Sequence, residues 1–443
     1  MSVNGWKLSR RSFVGGAGLA VAAGLAACSS GTSSSGGSTS GSDRAGNVYW
    51  LNFKPELDAT LQKLAGTYME KYPNVKVKVT TAAAGTYEQT LTSEMDKSDA
   101  PTLFVIGNTA GVKEWGDFAM DLKDSDIAKL LSTEDYNLSD DAGKLVSIPY
   151  CYECFGIAVN TDLIEKAGHK LDEIKDFASL KAVVEDLHAK AAENGFDAFV
   201  ATDMDDSSSW RVTGHLTNLM FFYEARDDGG WEEAPATIKG TYVPNYRKLY
   251  DLAINNGTVE PSALATGGHD PLTQFTSGKA AFFLTGSFGY ADVKDKVTNT
   301  ACIPYYCGVQ GEEKAGLNCG TENCWAINDN ASDEDKKATM DFMVWLVSDA
   351  DAAQAMVDGL GILPYKNAPA SANVYLANAQ SYADAGNYNL DWDFNYTPNV
   401  EQYRANLVSA LNAYNAAPSD ASWEGVKTAI VDGWATQYKA ANA

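Results

Sequence analysis

Ile148-Pro149-Tyr150-Cys151-Tyr152-Glu153-Cys154-Phe155-Gly156-Ile157-Ala158-Val159-Asn160 carries a single charge, Glu153, in an otherwise apolar run. Such a run reads as an apolar strand crossing the protein interior. The pattern on its N-terminal side is an alternation of strands and helices. Val48-Tyr49-Trp50-Leu51 is a short apolar strand. Leu57, Leu61, Leu64, Ala65, Tyr68, Met69 and Tyr72 then recur at helical spacing until Pro73. Val75, Val77 and Val79 alternate with polar residues, Glu88 to Asp96 reads as a second helix, and Pro101 to Ile106 is a buried strand. This order predicts an α/β unit with a largely parallel sheet. Its ligand loops fall at the carboxyl ends of the strands, at 52–56, 85–88 and 107–109.

A second α/β unit follows the crossing run. Phe177, Leu180, Val183, Val184, Leu187 and Ala191 line one helix face, stopped by Gly195. Phe196 to Ala201 and Ala280 to Leu284 read as strands, and 335–347 and 423–438 as amphipathic helices. At 45 % hydrophobic and 21 % charged residues, the 443-residue chain has ample apolar mass for cores, and its length suits two or three domains. The formal charge of −24 gives no electrostatic footprint for nucleic acid or anionic lipid. Four histidines without H-E-x-x-H spacing argue against a zinc hydrolase of that type.

The N-terminus reads as an address. Met1 to Ala27 holds Lys7, Arg10 and Arg11 but no acid, followed by an uncharged run too short and too rich in Gly and Ala for a membrane span. Ser9-Arg10-Arg11-Ser12-Phe13-Val14 resembles the twin-arginine export motif, and Leu25-Ala26-Ala27-Cys28 resembles a bacterial lipobox. The resemblance implies a signal peptide over 1–27 and lipidation of Cys28 at the mature N-terminus. A tether reaching to residue 47 follows, its first part almost wholly Ser, Gly and Thr and too polar to fold. Removal of the signal leaves 31 basic against 58 acidic side chains, a charge of −27.

Five segments, in order, resemble the extracellular solute-binding family of bacterial sugar ABC importers, the group that includes maltodextrin-binding proteins. They are Tyr49 to Glu56, Ser98 to Phe104, the crossing run Ile148 to Asn160, Phe275 to Phe283 with Gly286, and Cys324 to Ile327 with Gly361 to Pro364. The resemblance implies a two-lobed periplasmic-binding-protein-like α/β fold, with a ligand cleft between lobes joined by crossing hinge strands. One lobe would be 48–152 and 320–366, the other 153–319 and 367–443. It further implies a monomer, lipid-anchored on the extracellular face of the membrane. That monomer captures a carbohydrate, with a malto-oligosaccharide as the leading candidate, and delivers it to permease subunits without a cofactor, metal or catalytic residue.

The sequence departs from the family at the cysteines. Besides Cys28 there are Cys151, Cys154, Cys302, Cys307, Cys319 and Cys324. An even count on an exported chain suggests disulfides, and buried free thiols are the rival reading. Zinc ranks behind both, because no histidine pattern accompanies the cysteines.

A sugar needs planar polar partners for its hydroxyls and aromatic faces for its C–H surfaces. Glu153 is the leading ligand candidate, since an unpaired charge in an apolar strand is costly; a buried ion pair at the hinge is the alternative. Asn52 and Lys54 follow the first strand, as ligands or as surface loop. Asn108 follows the buried strand, as ligand or as helix cap. Asp203, Trp210 and Arg211 flank a polar loop after a strand, with Trp210 as a stacking platform or a core residue. Gly286, Ser287 and Phe288 close another strand, and Gly286 would let backbone approach a ligand. Glu322 and Asn323 lie on the return crossing, and Trp392, beside Phe394, is either a platform or part of a packed loop. Two other classes fit the same residues: a surface glycoside hydrolase, whose two carboxyls would need a set separation, and a binder of a cationic solute such as a polyamine. No phosphate loop, nucleophile elbow or metal motif favours an enzyme.

Overall fold

The computed structural model describes residues 44–83 and 86–442. The expected signal peptide over 1–27, Cys28 and most of the expected tether lie outside the described residues, as does Gly85 of the second rim loop. Twelve strands form among the described residues: β1 Gly46–Asn52, β2 Val75–Thr81, β3 Leu103–Val105, β4 Leu138–Ser139, β5 Leu145–Pro149, β6 Glu153–Asn160, β7 Asp197–Phe199, β8 Ala280–Gly286, β9 Thr300–Ile303, β10 Ala315–Gly320, β11 Cys324–Ile327 and β12 Tyr388–Asp391. They make two six-stranded sheets. One has the order β2-β1-β3-β11-β5-β4; the other runs β12-β10-β6-β8-β7, with β9 also paired to β6.

In the first sheet β1 pairs in parallel with β2 and β3, as the strand–helix alternation predicts. The sheet as a whole is mixed rather than largely parallel, because β11 is antiparallel to both β3 and β5. The reason is the crossing itself. β5 leads out of this sheet and β11 leads back, so the two lie side by side in opposite directions.

The run 148–160 is therefore two strands, not one. Pro149 ends β5, residues 150–152 cross, and Glu153 begins β6 in the second sheet. Residues 321–323 make the return crossing alongside, where the Tyr150 N–H donates to the Asn323 carbonyl at 2.9 Å. A third connection passes at Ile362, which bridges Tyr152. The lobes are thus joined by three adjacent segments.

Each lobe has its own core. Trp50, Tyr150 and Trp325 pack together in the first, with Tyr150 stacked on Trp325 at 4.8 Å. Along β6 the two-residue period splits the side chains between faces. Phe155, Ile157 and Val159 enter the large second core, while Cys154 and Ala158 face a smaller cluster with Cys302, Cys319, Leu317 and Tyr375. Gly156 lies on that smaller face, and a Cβ there would stand 2.4 Å from the Ile303 carbonyl, so only glycine lets β9 pair this closely. All six cysteines among the described residues are free and buried.

Candidate ligand cleft

The carboxyl end of β1 supplies the floor of the cleft. Asn52 is fully buried, and its side chain holds the next loop in shape: Nδ2 donates to the Lys54 carbonyl at 2.7 Å and to Thr81 Oγ1 at 3.0 Å, and Oδ1 accepts from the Lys54 N–H at 3.1 Å. That loop aims Lys54 across the gap. Its Nζ stands 2.9 Å from Glu153 Oε1 and 3.2 Å from Glu56 Oε1. The second Glu153 oxygen accepts from Asn323 Nδ2 at 2.9 Å. Lys54 is 5 % exposed and Glu153 2 %. Burial disfavours the Lys54 ammonium, but the Glu153 and Glu56 carboxylates outweigh it and raise its pKa. Burial pushes the Glu153 carboxyl upward, and Lys54 acts against that. Both oxygens of Glu153 are engaged by protein groups.

Above this floor stands an aromatic wall from the second lobe. Phe155 stacks on His215 at 4.2 Å, and His215 meets the edges of Trp392 at 5.0 Å and Phe394 at 4.9 Å. Burial drives the His215 imidazole well below its ordinary pKa, so it is neutral, and its Nδ1 has no partner among the described residues. Trp210 and Phe288 lie 5.4 Å apart and are only partly buried. The Arg211 guanidinium sits 4.2 Å from the Trp210 ring centroid, and Lys54 Nζ sits 5.4 Å from that of Phe288. Burial lowers the Arg211 pKa to about 10, and its Nε lacks a partner among the described residues. Gly286 lets Phe288 fold back on β6, since a Cβ there would lie 2.5 Å from the Cys154 carbonyl and 2.6 Å from Phe288 Cε1. Ser287 Oγ accepts from the Cys154 N–H at 3.1 Å, which ties this turn to the hinge strand.

Other candidates have local duties. Asn108 caps the helix Thr109–Trp115 by accepting the Gly111 N–H at 2.8 Å. Asp203 is fully buried and takes both the N–H and the Nδ1 of His269, at 2.7 and 2.8 Å. Glu322 makes no hydrogen bond among the described residues; burial raises its pKa, with Arg404 and Lys54 opposing. Its carbonyl lies so near Gly107 that a Cβ there would fall 2.1 Å away.

Sequence reasoning missed His215, Arg404, Asp391 and Asp393. His215 and Arg404 sit among helical residues that read as core or surface, and only tertiary contact brings them to the cleft. The acids flank Trp392, and that alternation after a strand was the one available signal. Together with Asn108, Thr321, Asn395 and Tyr396 they line a cavity of about 80 Å³ between the lobes. The lobes also touch where the Glu88 N–H donates to Glu401 Oε1 at 3.2 Å. Burial pushes the Glu88 carboxyl up to about 7.

Two α/β lobes, three adjacent crossings and a polar, aromatic-walled cleft define a hinged ligand-binding protein. The model of the family described as bacterial extracellular solute-binding protein matches residues 63–387, and the chain belongs to that family. Its fold is shared with solved structures at low identity. The solute-binding protein RafE in complex with raffinose has a TM-score of 0.68 at 17 % identity, covering 90 % of this chain and 100 % of that one. A chitin oligosaccharide binding protein has 0.68 at 16 %, covering 91 % and 100 %. An ABC-transporter binding protein from Bifidobacterium animalis subsp. lactis, in complex with mannobiose, has 0.58 at 18 %, covering 91 % and 96 %. No curated protein matches the sequence. Among the described residues no helix is long and apolar enough to cross a membrane, and no group of three or more His, Cys, Asp or Glu could hold a metal ion.

Proposed function

We propose that this chain is the oligosaccharide-capturing component of an ABC importer, anchored through lipidated Cys28 outside the cell membrane and handing its ligand to permease subunits. The observation that carries the reading is the wall of partly exposed Trp210 and Phe288 with Trp392 beside them, set over polar groups in a cleft between two hinged lobes. Aromatic faces cover the C–H surfaces of a sugar, while amides and carboxylates take its hydroxyls. The sugar ligands named for RafE and for the mannobiose and chitin-oligosaccharide binders support the same class.

In this reading Trp210, Phe288 and Trp392 are platforms, and Asn108, Arg211 and Glu322 meet hydroxyls from the rim. Glu153, Lys54 and Asn323 fix the floor, Asn52, Gly286 and Ser287 shape the loops that present the others, and Asp203 orients His269. A glycan panel screened by thermal shift and calorimetry tests it, because a ligand of the folded state raises its apparent stability. A bound glycan should keep its chain length on long incubation; cleavage would turn the reading to a glycoside hydrolase. Size exclusion should give a monomer. Cys28→Ala should leave the protein unprocessed or release it from membranes.

A further inference from the structure

We propose that Glu401 latches the two lobes together by capping, from the second lobe, a helix that belongs to the first. The latch concerns how the cleft is held shut, whatever the cleft binds.

The helix Tyr87–Met95 follows β2 and opens at the cleft rim. Its N-cap residue Thr86 makes no side-chain cap, because the hydroxyl donates instead to the Ala83 carbonyl at 3.0 Å. Other helices are served from within their own lobe: Asn108 caps Thr109–Trp115, Asp176 caps Phe177–Ala189, and Ser332 caps Asp333–Ser348. For Tyr87–Met95 the side-chain acceptor among the described residues comes from across the cleft, where the Glu88 N–H donates to Glu401 Oε1 at 3.2 Å.

Glu401 itself lies in the first turn of the helix Val400–Ala416. The N-cap residue there, Asn399, likewise makes no side-chain cap and turns its amide to Gln437. One carboxylate therefore lies at two helix N-termini, one from each lobe, where unpaired N–H groups and the helix dipoles favour negative charge. Burial raises the Glu401 carboxyl and Glu114 adds to that, while the Glu88 N–H and the Arg404 guanidinium oppose it.

Where a cap is made decides what it stabilises. A cap within one lobe strengthens that lobe at every hinge angle. A cap made across the cleft exists only while the lobes are together, so its whole contribution falls on the shut state. Opening returns both groups to water, which keeps the net effect near that of an ordinary helix cap.

The test uses ligand-free, full-length protein in a Cys28→Ala background, spin-labelled at Lys63→Cys and Lys181→Cys. These are exposed positions on the first and second lobes, and the six cysteines among the described residues are buried. Pulsed dipolar spectroscopy reads the distance between lobes, and small-angle scattering of unlabelled protein gives the radius of gyration. Glu401→Ala is expected to raise the ratio of open to shut populations about fivefold. Glu401→Gln, which keeps an acceptor oxygen without the charge, should raise it about twofold. Asp176→Ala removes a cap inside the second lobe, where Asp176 accepts the Ser179 N–H at 2.8 Å. It should lower the melting temperature and leave the distances as in the parent. Unchanged distances and radius in Glu401→Ala overturn the latch. An equal opening in Asp176→Ala also overturns it, since loss of any cap would then loosen the lobes. Neither result bears on the oligosaccharide reading, which the glycan panel tests separately.

Discussion

Glu153 at the hinge and the Asp391/Asp393 pair beside Trp392 are both carboxylate sites on the cleft, yet the first is buried and the second only partly covered. Glu153 has one oxygen on Lys54, from the other lobe, and the other on Asn323 of the return crossing. Among the described residues Asp391 and Asp393 have no such partners, and both are partly exposed. A partnered buried charge ties architecture together, and here it joins both lobes and a crossing segment in one knot. A partly exposed pair leaves much of its charge to water. The difference teaches that burial of a charge is not by itself a mark of a binding site; what matters is whether the fold has already answered it.

Breaking the knot should give the largest effect. Glu153→Ala leaves buried Lys54 with only Glu56, and Lys54→Ala leaves buried Glu153 with only the neutral Asn323 amide, with an expected loss of about 3 kcal/mol in denaturant unfolding of the ligand-free protein. Lys54→Met combined with Glu153→Leu should recover most of it. A single variant with an unchanged midpoint would erase the distinction drawn here. Calorimetric affinity of the same variants then separates a floor residue from one that touches ligand.

The acid pair should respond in the opposite sense. A carboxyl whose folded pKa lies above its unfolded value binds more protons when folded, so stability falls as pH rises between roughly 4 and 8. Asp391→Asn and Asp393→Asn should flatten that slope and raise ligand-free stability at pH 8 by on the order of 1–3 kcal/mol each. Thermal melts from pH 4 to 8 measure it, and a steeper slope in the variants would contradict the assignment. Trp210→Ala should cost about tenfold in glycan affinity with ligand-free stability nearly kept, since the ring is only partly buried. The smallest effect belongs to Asn108→Ala, about 1 kcal/mol of stability from the lost helix cap, read by the same melts.

The strand and helix order was legible because one-faced elements leave a period in the sequence. Val75, Val77 and Val79 alternate as written, and the Leu57–Tyr72 stripe becomes the helix Asp58–Lys71. The break at 150–152 was not legible, since residues on both sides are apolar and a run buried throughout carries no period. Glu153 stood out as a charge in apolar surroundings, but its partner lies 99 residues away in the chain. Asp391 and Asp393 carried no such signal, because only the approach of residues such as Asn108 and Tyr136 from the other lobe places them on a cavity. His215 hid in an apolar helical stretch, because its ring partners Phe155, Trp392 and Phe394 come from distant segments of its own lobe.

The position of β11 also sets a timetable. It lies between β3 and β5 in the first sheet, yet it follows β5 only after the whole of 150–323 has been made. Until then the sheet lacks a central strand, and β3 and β5 present open edges that invite pairing with other chains. At ordinary rates of synthesis that gap lasts on the order of ten to thirty seconds. The second lobe's main strands β6 to β10 are continuous in the chain and emerge together during that wait. That lobe is itself unfinished then, since β12 and the helices over 400–441 that complete its sheet and core follow β11, so the last stretch of chain closes both lobes.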